Sequence, residues 1–451
     1  MQNIYDEVAS LDRRCYESFG LSEDLLMEHA ANGMASFIEA NFDQGSTILV
    51  VCGGGNNGAD GIALSRMLYA DYDVKLLLAH KPKSEMAKIQ LKRARAVGVE
   101  EVDAICECDA VVDAIYGTGF SGDLEAKILT LLEDLNSLKA FKIACDVPSA
   151  FSFCADVTLT MGGLKKSLFL DAHKDAVGEI KVLDLGVARK IYEVSSNQKM
   201  LDLSDLTLPH RSRSNTHKGS FGHLGVVMGE KRGAATISAL TALRSGSGLV
   251  SVISKTDLDL PYELMISKTL PSNLSAIAVG MGLGSTDISE VLRLDLPLVV
   301  DADLFYEDTI LDLLKRDRVV LTPHPKEFAS LLKLADIADV SVEELQQDRF
   351  LLCERFARLY PRVTLVLKGA NVIIVQNEQM FINPHGRNNL AKGGSGDVLS
   401  GLIGSLLAQG RSTLDAAIDG SLMLSRLSLE YDGASFSLTP RELIENIRNL
   451  K

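Results

Sequence analysis

The chain has 451 residues, and its 46 lysines and arginines against 60 aspartates and glutamates leave a net charge of -14. With a pI near 5.1, that balance excludes non-specific attraction to nucleic acid or to an anionic membrane surface, which needs a positive field. A composition of 46% hydrophobic and 24% charged residues excludes disordered and fibrous chains, and at ~150 residues per domain the length predicts two or three domains with full cores.

Residues 21–42 carry apolar groups at helical spacing (Leu21, Leu25, Leu26, Met34, Phe37, Ile38), and Ser22 is placed to cap that helix. STILVV then reads as a buried strand, CGGGNNGADG as a glycine loop and IALSRMLYA as a helix. The strand VKLLLAH, the helix IQLKRARAVG, the strand AVVDAIYGTG and the helix ILTLLEDLNSL follow. FKIACDVPS, DVTLTMGG and EIKVLDLGV read as three more strands. Strands alternating with amphipathic helices predict a largely parallel sheet covered on both faces.

Around residues 190–217 the alternation lapses into polar text, and it resumes with GHLGVVMGE, ATISALTALRSG and LVSVI. It continues through AIAVGMGLGS, LPLVVDADLF, RVVLTPHP, TLVLKG and VIIVQ to the glycine-rich NLAKGGSGDVLSGLIGSLLAQG. Two α/β domains are therefore expected, residues 1–200 and 201–451. The seven cysteines are thinly spread and predict neither a disulfide framework nor a zinc site. The N-terminus shows no signal-peptide pattern and no apolar run reaches the ~18 residues of a membrane span. A cytoplasmic protein, with no membrane or nucleic-acid partner and acting as a homo-oligomer, is expected.

Gly53-Gly54-Gly55-Asn56-Asn57-Gly58 formally fits G-x-G-x-x-G between a strand and a helix, which invites a dinucleotide-binding reading. Two features oppose it. The acid expected at the end of the second strand is absent, since that strand ends in His80, and the loop carries Asn56, Asn57 and Asp60. A carboxylate and two amides suit sugar-like hydroxyls, a ring amide or a bound cation better than a phosphate. Two further strand ends supply Asp113, before Gly117-Thr118-Gly119-Phe120-Ser121-Gly122-Asp123, and Asp146, before Val147-Pro148-Ser149. Any one of these acids is most often a turn former. Three of them at the carboxyl ends of strands in one open sheet predict a site.

CGGGNNGADG, DAIYGTGFSG, ACDVPS and MGGLKKS, in that order, resemble the NAD(P)H-hydrate epimerase domain over nearly all of residues 1–200. The resemblance implies a Rossmann-like three-layer α/β sandwich that interconverts the R and S hydrates of NADH and NADPH. By motif, Asn57, Asp113 and Ser149 would hold potassium, and Asp146 would be the proton-transfer residue. Asn56, Asn57, Gly58, Ala59 and Asp60 would hold substrate, together with the loop Gly117 to Asp123. The family's P-S-G-L-D stands here as Pro148-Ser149-Ala150-Phe151-Ser152.

In the second half, Gly393-Gly394-Ser395-Gly396-Asp397 opens an apolar helix. Glycines there let backbone N–H groups approach a phosphoryl group, and the helix dipole favours that anion. Asp397 reads as a general base, a plain helix cap being the competing reading. His324 lies between two prolines, which fix its backbone for ligand contact. Lys368-Gly369-Ala370-Asn371-Val372 separates two apolar strands and is either a hairpin turn or a nucleotide contact, while Asp301 and Asp303 cap a helix or order metal-bound water.

HKGSFGHLGVV, RSGSGLVSV, VVDAD, LTPHPKEF, VLKGAN and the GGSGDVL segment resemble the ADP- or ATP-dependent NAD(P)H-hydrate dehydratase over residues 210–451. That resemblance implies a ribokinase-like α/β domain. Gly284, His324 and Asp397 would contact the hydrated nicotinamide nucleotide. Lys368, Gly369, Ala370, Asn371 and Val372, with Gly394, Ser395 and Gly396, would hold the adenine nucleotide. The implied reaction phosphorylates the ring hydroxyl of the S hydrate and eliminates phosphate, with ADP or ATP as donor and Mg²⁺ on its phosphates. The loop Gly229 to Ala235 is shorter than the family's, and Lys392 stands where a small residue is usual. The competing readings are a vitamin or sugar kinase with an N-terminal ligand-binding module, and a binding protein with a degenerate first domain.

Overall fold

The computed structural model describes all 451 residues, which divide into two compact units, Asn3–Ser196 and Asn197–Lys451 with Met1–Gln2. Nineteen strands run along the chain: β1 (Gln2–Tyr5), β2 (Thr47–Cys52), β3 (Asp73–Leu78), β4 (Glu100–Val102), β5 (Ala110–Ala114), β6 (Phe141–Cys145), β7 (Val157–Met161), β8 (Leu164–Lys165) and β9 (Glu179–Leu183), then β10 (Gln198–Met200), β11 (His223–Val227), β12 (Leu249–Ile253), β13 (Met265–Ser267), β14 (Ala276–Val279), β15 (Leu298–Val300), β16 (Val319–Leu321), β17 (Val363–Leu367), β18 (Val372–Gln376) and β19 (Gln379–Asn383). No helix is long and apolar enough to cross a membrane.

In the N-terminal unit a seven-stranded sheet has the order β4-β3-β2-β5-β6-β7-β9, every pairing parallel. Successive side chains of a strand point to opposite faces, and β2 uses both. Ile48, Val50 and Cys52 join one core with the helices Glu23–Asn41 and Asn56–Leu68. Leu49 and Val51 join a second core with Ile128, Leu132 and Leu135 of the helix Ala126–Ser137. This is the three-layer α/β sandwich, and continuous apolar strands are what a sheet buried on both faces requires. Ser22 caps its helix as expected, its hydroxyl accepting from the Leu25 N–H. The sheet order places the loops after β2, β5 and β6 side by side at one edge.

The C-terminal unit is also α/β. Its sheet runs β13-β12-β11-β14-β15-β16-β17-β18-β19-β10. It is parallel from β13 to β17, then turns through the antiparallel pairs β17–β18 and β18–β19. Leu224, Val226, Ala276, Ala278 and Val299 face the helices Arg232–Arg244, Ser395–Ala408 and Thr413–Leu429. The opposite layer contains the buried Phe328 and Phe356, whose rings meet edge to face at 6.0 Å. Strand β10 arises within the polar stretch where the sequence shows no alternation; three residues pairing with β19 form it.

Candidate active sites

In the N-terminal unit the loops after β2, β5 and β6 border a cleft of about 560 Å³. Asn56, Asn57, Asp60, the turn Gly117–Phe120 and Asp146 line it. The lining does not include Gly58, Ala59, Ser121, Gly122 or Asp123. Ala59 packs instead with Met27, Met86 and Ala87. A Cβ on Gly58 would stand 2.0 Å from the Gly53 carbonyl oxygen, so that glycine is required by the turn itself. Ser121, Gly122 and Asp123 are exposed on the loop beyond.

Asp146 ends β6 in a left-handed conformation, φ 70°. Its Oδ1 accepts from Lys165 Nζ at 2.5 Å, from the Met161 N–H at 3.0 Å and from Thr160 Oγ1 at 3.3 Å. Asp60 stands nearby; burial, then the charges of Asp146 and Asp12, push its carboxyl well above the usual range. Burial also raises Asp12, against a hydrogen bond from the Tyr192 hydroxyl at 2.7 Å.

Asp113 is fully buried. It accepts from the Ser149 N–H at 2.7 Å, the Ser149 hydroxyl at 2.6 Å and the Ile115 N–H at 3.1 Å. Burial pushes it up to about 6 against those bonds, which favour the charged form. The Tyr116 N–H donates to the same Ser149 hydroxyl at 2.8 Å, tying the loops after β5 and β6 together. Asn57 Nδ2 is buried with no hydrogen-bond partner, and Gly117 lies close against that side chain. His80, Lys83, Tyr116 and Glu125 also line the cleft. His80 Nε2 and the Tyr116 hydroxyl are 2.9 Å apart, and the Tyr116 and Phe120 rings stack at 4.2 Å. Sequence reasoning gave no role to His80, Lys83, Tyr116, Glu125, Asp12 or Lys165, although Tyr116 and Lys165 lie inside the segments DAIYGTGFSG and MGGLKKS, because no pattern there marks them as partners of the strand-end acids.

In the C-terminal unit Asp397 lies in the first turn of the helix Ser395–Ala408. Gly394 caps that helix at φ 96°, with no room for a Cβ against Pro440. Gly396 faces Lys368 and Asp301: a Cβ there would lie 3.5 Å from Lys368 Nζ and 3.7 Å from Asp301 Oδ2. Lys368 Nζ pairs with Asp301 Oδ1 at 2.8 Å and with Glu327 Oε2 at 3.6 Å. Burial opposes the Lys368 charge, but Asp301 and Glu327 outweigh it and hold its pKa above the ordinary value. Asp301 is 2% exposed and also accepts from the Ser400 hydroxyl at 2.9 Å and from the Ala302 N–H at 2.9 Å. Burial, then the Asp301 charge, pushes Asp397 up to about 6, with Lys368 opposing.

His324 caps the helix Pro325–Leu334. Its Nδ1 accepts from the Glu327 N–H at 3.2 Å, and Glu327 accepts from the His324 N–H at 2.7 Å. The double-proline histidine is thus a reciprocal cap that also presents a partly exposed ring. Lys368 to Asn371 form the β17–β18 hairpin connection, with Gly369 and Ala370 exposed and Asn371 buried, and Val372 opens β18. The Asn371 carbonyl accepts from Arg349 at 3.1 Å. The Gly284 N–H donates to Asp303 Oδ2 at 3.0 Å. A cleft of about 510 Å³ opens at the ends of β11 and β12, lined by Gly229, Glu230 and Arg232 among others; His324, Lys368 and Gly394 to Asp397 are outside its lining. No group of three or more His, Cys, Asp or Glu side chains is arranged to hold a metal ion.

Residues 224–449 match the family described as NAD(P)H-hydrate dehydratase, and residues 23–167 the family described as YjeF-related protein N-terminus. The bifunctional NAD(P)H-hydrate repair enzyme Nnr of Helicobacter pylori is 42% identical over 100% of both chains. That of Coxiella burnetii is 31% identical over 98% of each. Among solved structures, the ADP/ATP-dependent NAD(P)H-hydrate dehydratase of Bacillus subtilis, co-crystallised with ATP/Mg²⁺, is 27% identical with a TM-score of 0.45, covering 54% of this chain and 93% of that one. With both halves matched and a full-length relative at that identity, the chain belongs to the family of bifunctional NAD(P)H-hydrate repair enzymes.

Proposed function

We propose that the N-terminal cleft interconverts the R and S hydrates of NADH and NADPH through Asp146, and that the C-terminal unit dehydrates the S hydrate through Asp397 with an adenine nucleotide. The observation that carries this is the presence, on one chain of that family, of two separate carboxylate sites at strand and helix ends. A kinase with a mere ligand-binding module is not favoured, because the family likeness spans both halves.

In the first site Asp146, in the lining of a polar cleft, takes the proton of the ring hydroxyl as the bond from that carbon to the ring nitrogen opens to leave an aldehyde. It returns the proton when the nitrogen closes on the other face of the carbonyl, so that the carbon is inverted and no atom is gained or lost. Asn56, Asn57, Asp60 and the Gly117–Phe120 turn hold the substrate's amide and hydroxyls. Asn57, Asp113 and Ser149 would hold potassium. The fit is supported by hard oxygen donors on three loops, the Asn57 amide oxygen, the Asp113 carboxylate and the Ser149 hydroxyl, which suit such a cation better than a transition metal. Bound there, potassium would supply a fixed positive charge beside the substrate.

In the second site Asp397 takes the proton of the S hydrate's ring hydroxyl while that oxygen attacks the terminal phosphoryl group and the shortened nucleotide leaves; the ester then loses phosphate, and a proton from the neighbouring ring carbon, to restore the double bond. The Gly394–Gly396 N–H groups and the helix dipole stabilise the anion that develops. Lys368 to Val372 hold the nucleotide, His324 and Gly284 the hydrated ring. Mg²⁺ would come with the nucleotide phosphates, since it is usually held by one or two carboxylates plus phosphate, and Asp301 and Glu327 stand beside this helix start. It would neutralise the polyphosphate.

The test follows NADH recovery by absorbance when the full chain meets mixed R and S hydrates with Mg²⁺ and ADP, with Mg²⁺ and ATP, or without nucleotide. Recovery of both epimers, faster than they interconvert unaided, is the expected result, and the two nucleotide arms identify the donor. Recovery of the S epimer alone would reject the first site. No recovery in any arm would reject both. Cytoplasmic placement and assembly as a homo-oligomer belong to the same proposal and are checked by cell fractionation and light scattering.

A further inference from the structure

Asp146 is gripped from one side only. Its Oδ1 takes three donors, from Lys165, Met161 and Thr160, while Oδ2 takes none and the residue lines the cleft. Lys165 is 1% exposed. Its ammonium also donates to Thr160 Oγ1 at 2.9 Å and to the Met161 carbonyl at 3.1 Å. An ammonium has three protons, and all three are committed inside the protein. Such a lysine reaches no substrate and acts only through the carboxylate it touches.

The chain goes to some length to deliver it. After β7 the Gly162–Gly163 turn reverses into β8; Gly162, at φ 72°, closes against the Tyr192 ring and Gly163 against the Tyr5 ring. Strand β8 then pairs with β1, Tyr5 opposite Lys165. Burying an unpaired ammonium is costly, and the pair survives because Asp146 is there to match it. The other ionisable groups around Asp146 are Asp60, Asp12, Tyr192 and Cys145. Burial, helped by neighbouring negative charge, pushes all four toward their protonated forms. Lys165 is thus the cation that offsets the Asp146 carboxylate.

We propose that Lys165, assisted by Thr160, is a positioning residue of the epimerisation, turning Asp146 Oδ1 inward and presenting Oδ2 to the substrate as an ionised base. This rests on the reading of the cleft as the epimerase site. The proton passes from the substrate hydroxyl to Oδ2 as the bond from that carbon to the ring nitrogen opens, and returns when the nitrogen closes on the other carbonyl face, so Lys165 neither gains nor loses one.

The experiment follows interconversion of R and S NADH hydrates by full-length Lys165→Met, Lys165→Arg and Thr160→Val variants, as kcat and KM across pH 5–9. Lys165→Met is expected to lower kcat at least ~30-fold, less than the ~10²–10⁴-fold that loss of the acid–base group itself would cost, with KM within about twofold. Its acid-side loss of activity moves to higher pH. Lys165→Arg restores part of kcat and the original acid limb, which a merely structural role does not predict. An unchanged pH profile in Lys165→Met, or a loss confined to KM, overturns the proposal. Should Lys165→Met lose the N-terminal melting transition while still dehydrating the S epimer, Thr160→Val decides, because it removes one donor without stranding a charge. A lower kcat with a raised acid limb supports the proposal, and wild-type values overturn it. A wild-type chain that does not interconvert the hydrates at all rejects the epimerase reading itself, and this proposal with it.

Discussion

The two candidate bases are held in opposite ways. Asp146 takes its place through a left-handed non-glycine backbone and a fully buried lysine that serves it as sole cation. Asp397 stands on the first turn of a long helix started by a glycine, near a lysine already shared by Asp301 and Glu327. In the first site the base is part of the ion pairing that holds the unit together. In the second it is a spectator of an ion cluster that would stand without it. Removing the charge should therefore lower stability together with function at the first site and lower function without a loss of stability at the second.

The largest expected effects are on turnover. Asp397→Asn should cut dehydration by about 10²–10⁴-fold and leave epimerisation intact, while Asp146→Asn should do the reverse. Each is checked by assaying both reactions on separated R and S hydrates. Appreciable dehydration by Asp397→Asn would remove it as the base. Loss of S-epimer dehydration in Asp146→Asn would break the two-site comparison itself.

Stability should diverge next. Asp146→Asn leaves the buried Lys165 without a counter-charge, a change worth about 3–5 kcal/mol for a broken buried pair. The N-terminal unit should melt lower. Asp397 carries the opposite sign. Its folded pKa of about 6 exceeds the ordinary ~3.9 of an unfolded carboxyl, so the folded chain holds that proton more tightly. The cost of ionising it in the folded state is absent below pH 4, grows between pH 4 and 6, and is complete above. Asp397→Asn should thus leave the C-terminal melting temperature unchanged near pH 4 and raise stability by up to about 3 kcal/mol at pH 8. A uniform shift at both pH values would contradict the assignment.

A smaller shift tests the shared lysine. Because Lys368 lowers the Asp397 pKa, Lys368→Met should move the acid limb of the dehydration kcat upward by roughly one pH unit. No movement would mean that Asp397 does not titrate in that limb.

The same contrast explains how much was legible in the sequence. The parallel α/β architecture follows from apolar runs such as TILVVC and its neighbours, since a strand buried on both faces has no room for polar residues. Acids at strand ends mark themselves, so Asp113, Asp146 and Asp60 stand out. What serves them does not. Lys165 and Asp12 come to Asp146 and Asp60 from distant segments, and no local pattern encodes such a meeting. Strands β10 and β13, three residues each, are likewise too short to carry a period. His324 was legible as a rigid position, but its reciprocal cap with Glu327 depends on helical geometry that only the fold supplies.

The smallest effect concerns the turn beside Ser149. Where the resembling family has glycine, this chain has Ala150 in a left-handed conformation at φ 51°, and Phe151 follows at φ 51°. The Phe151 ring stacks on His173 at 3.5 Å, and Ser149 sends both its donors to Asp113. A left-handed non-glycine residue costs about 1–2 kcal/mol, whereas glycine there would cost about 0.5–1 kcal/mol in chain freedom. Ala150→Gly should then stabilise the N-terminal unit by about 0.5–1 kcal/mol, a rise of about 1–4 °C in its melting transition. Epimerisation should be retained, because the Ser149 donors need the backbone shape and not the methyl group. Lower stability would mean that the methyl contributes packing worth more than the strain. Equal stability with lost epimerisation would mean that the alanine holds Ser149 in place by stiffness. That outcome would make the first site depend on a rigid non-glycine backbone, in contrast to the glycine-capped helix that carries Asp397.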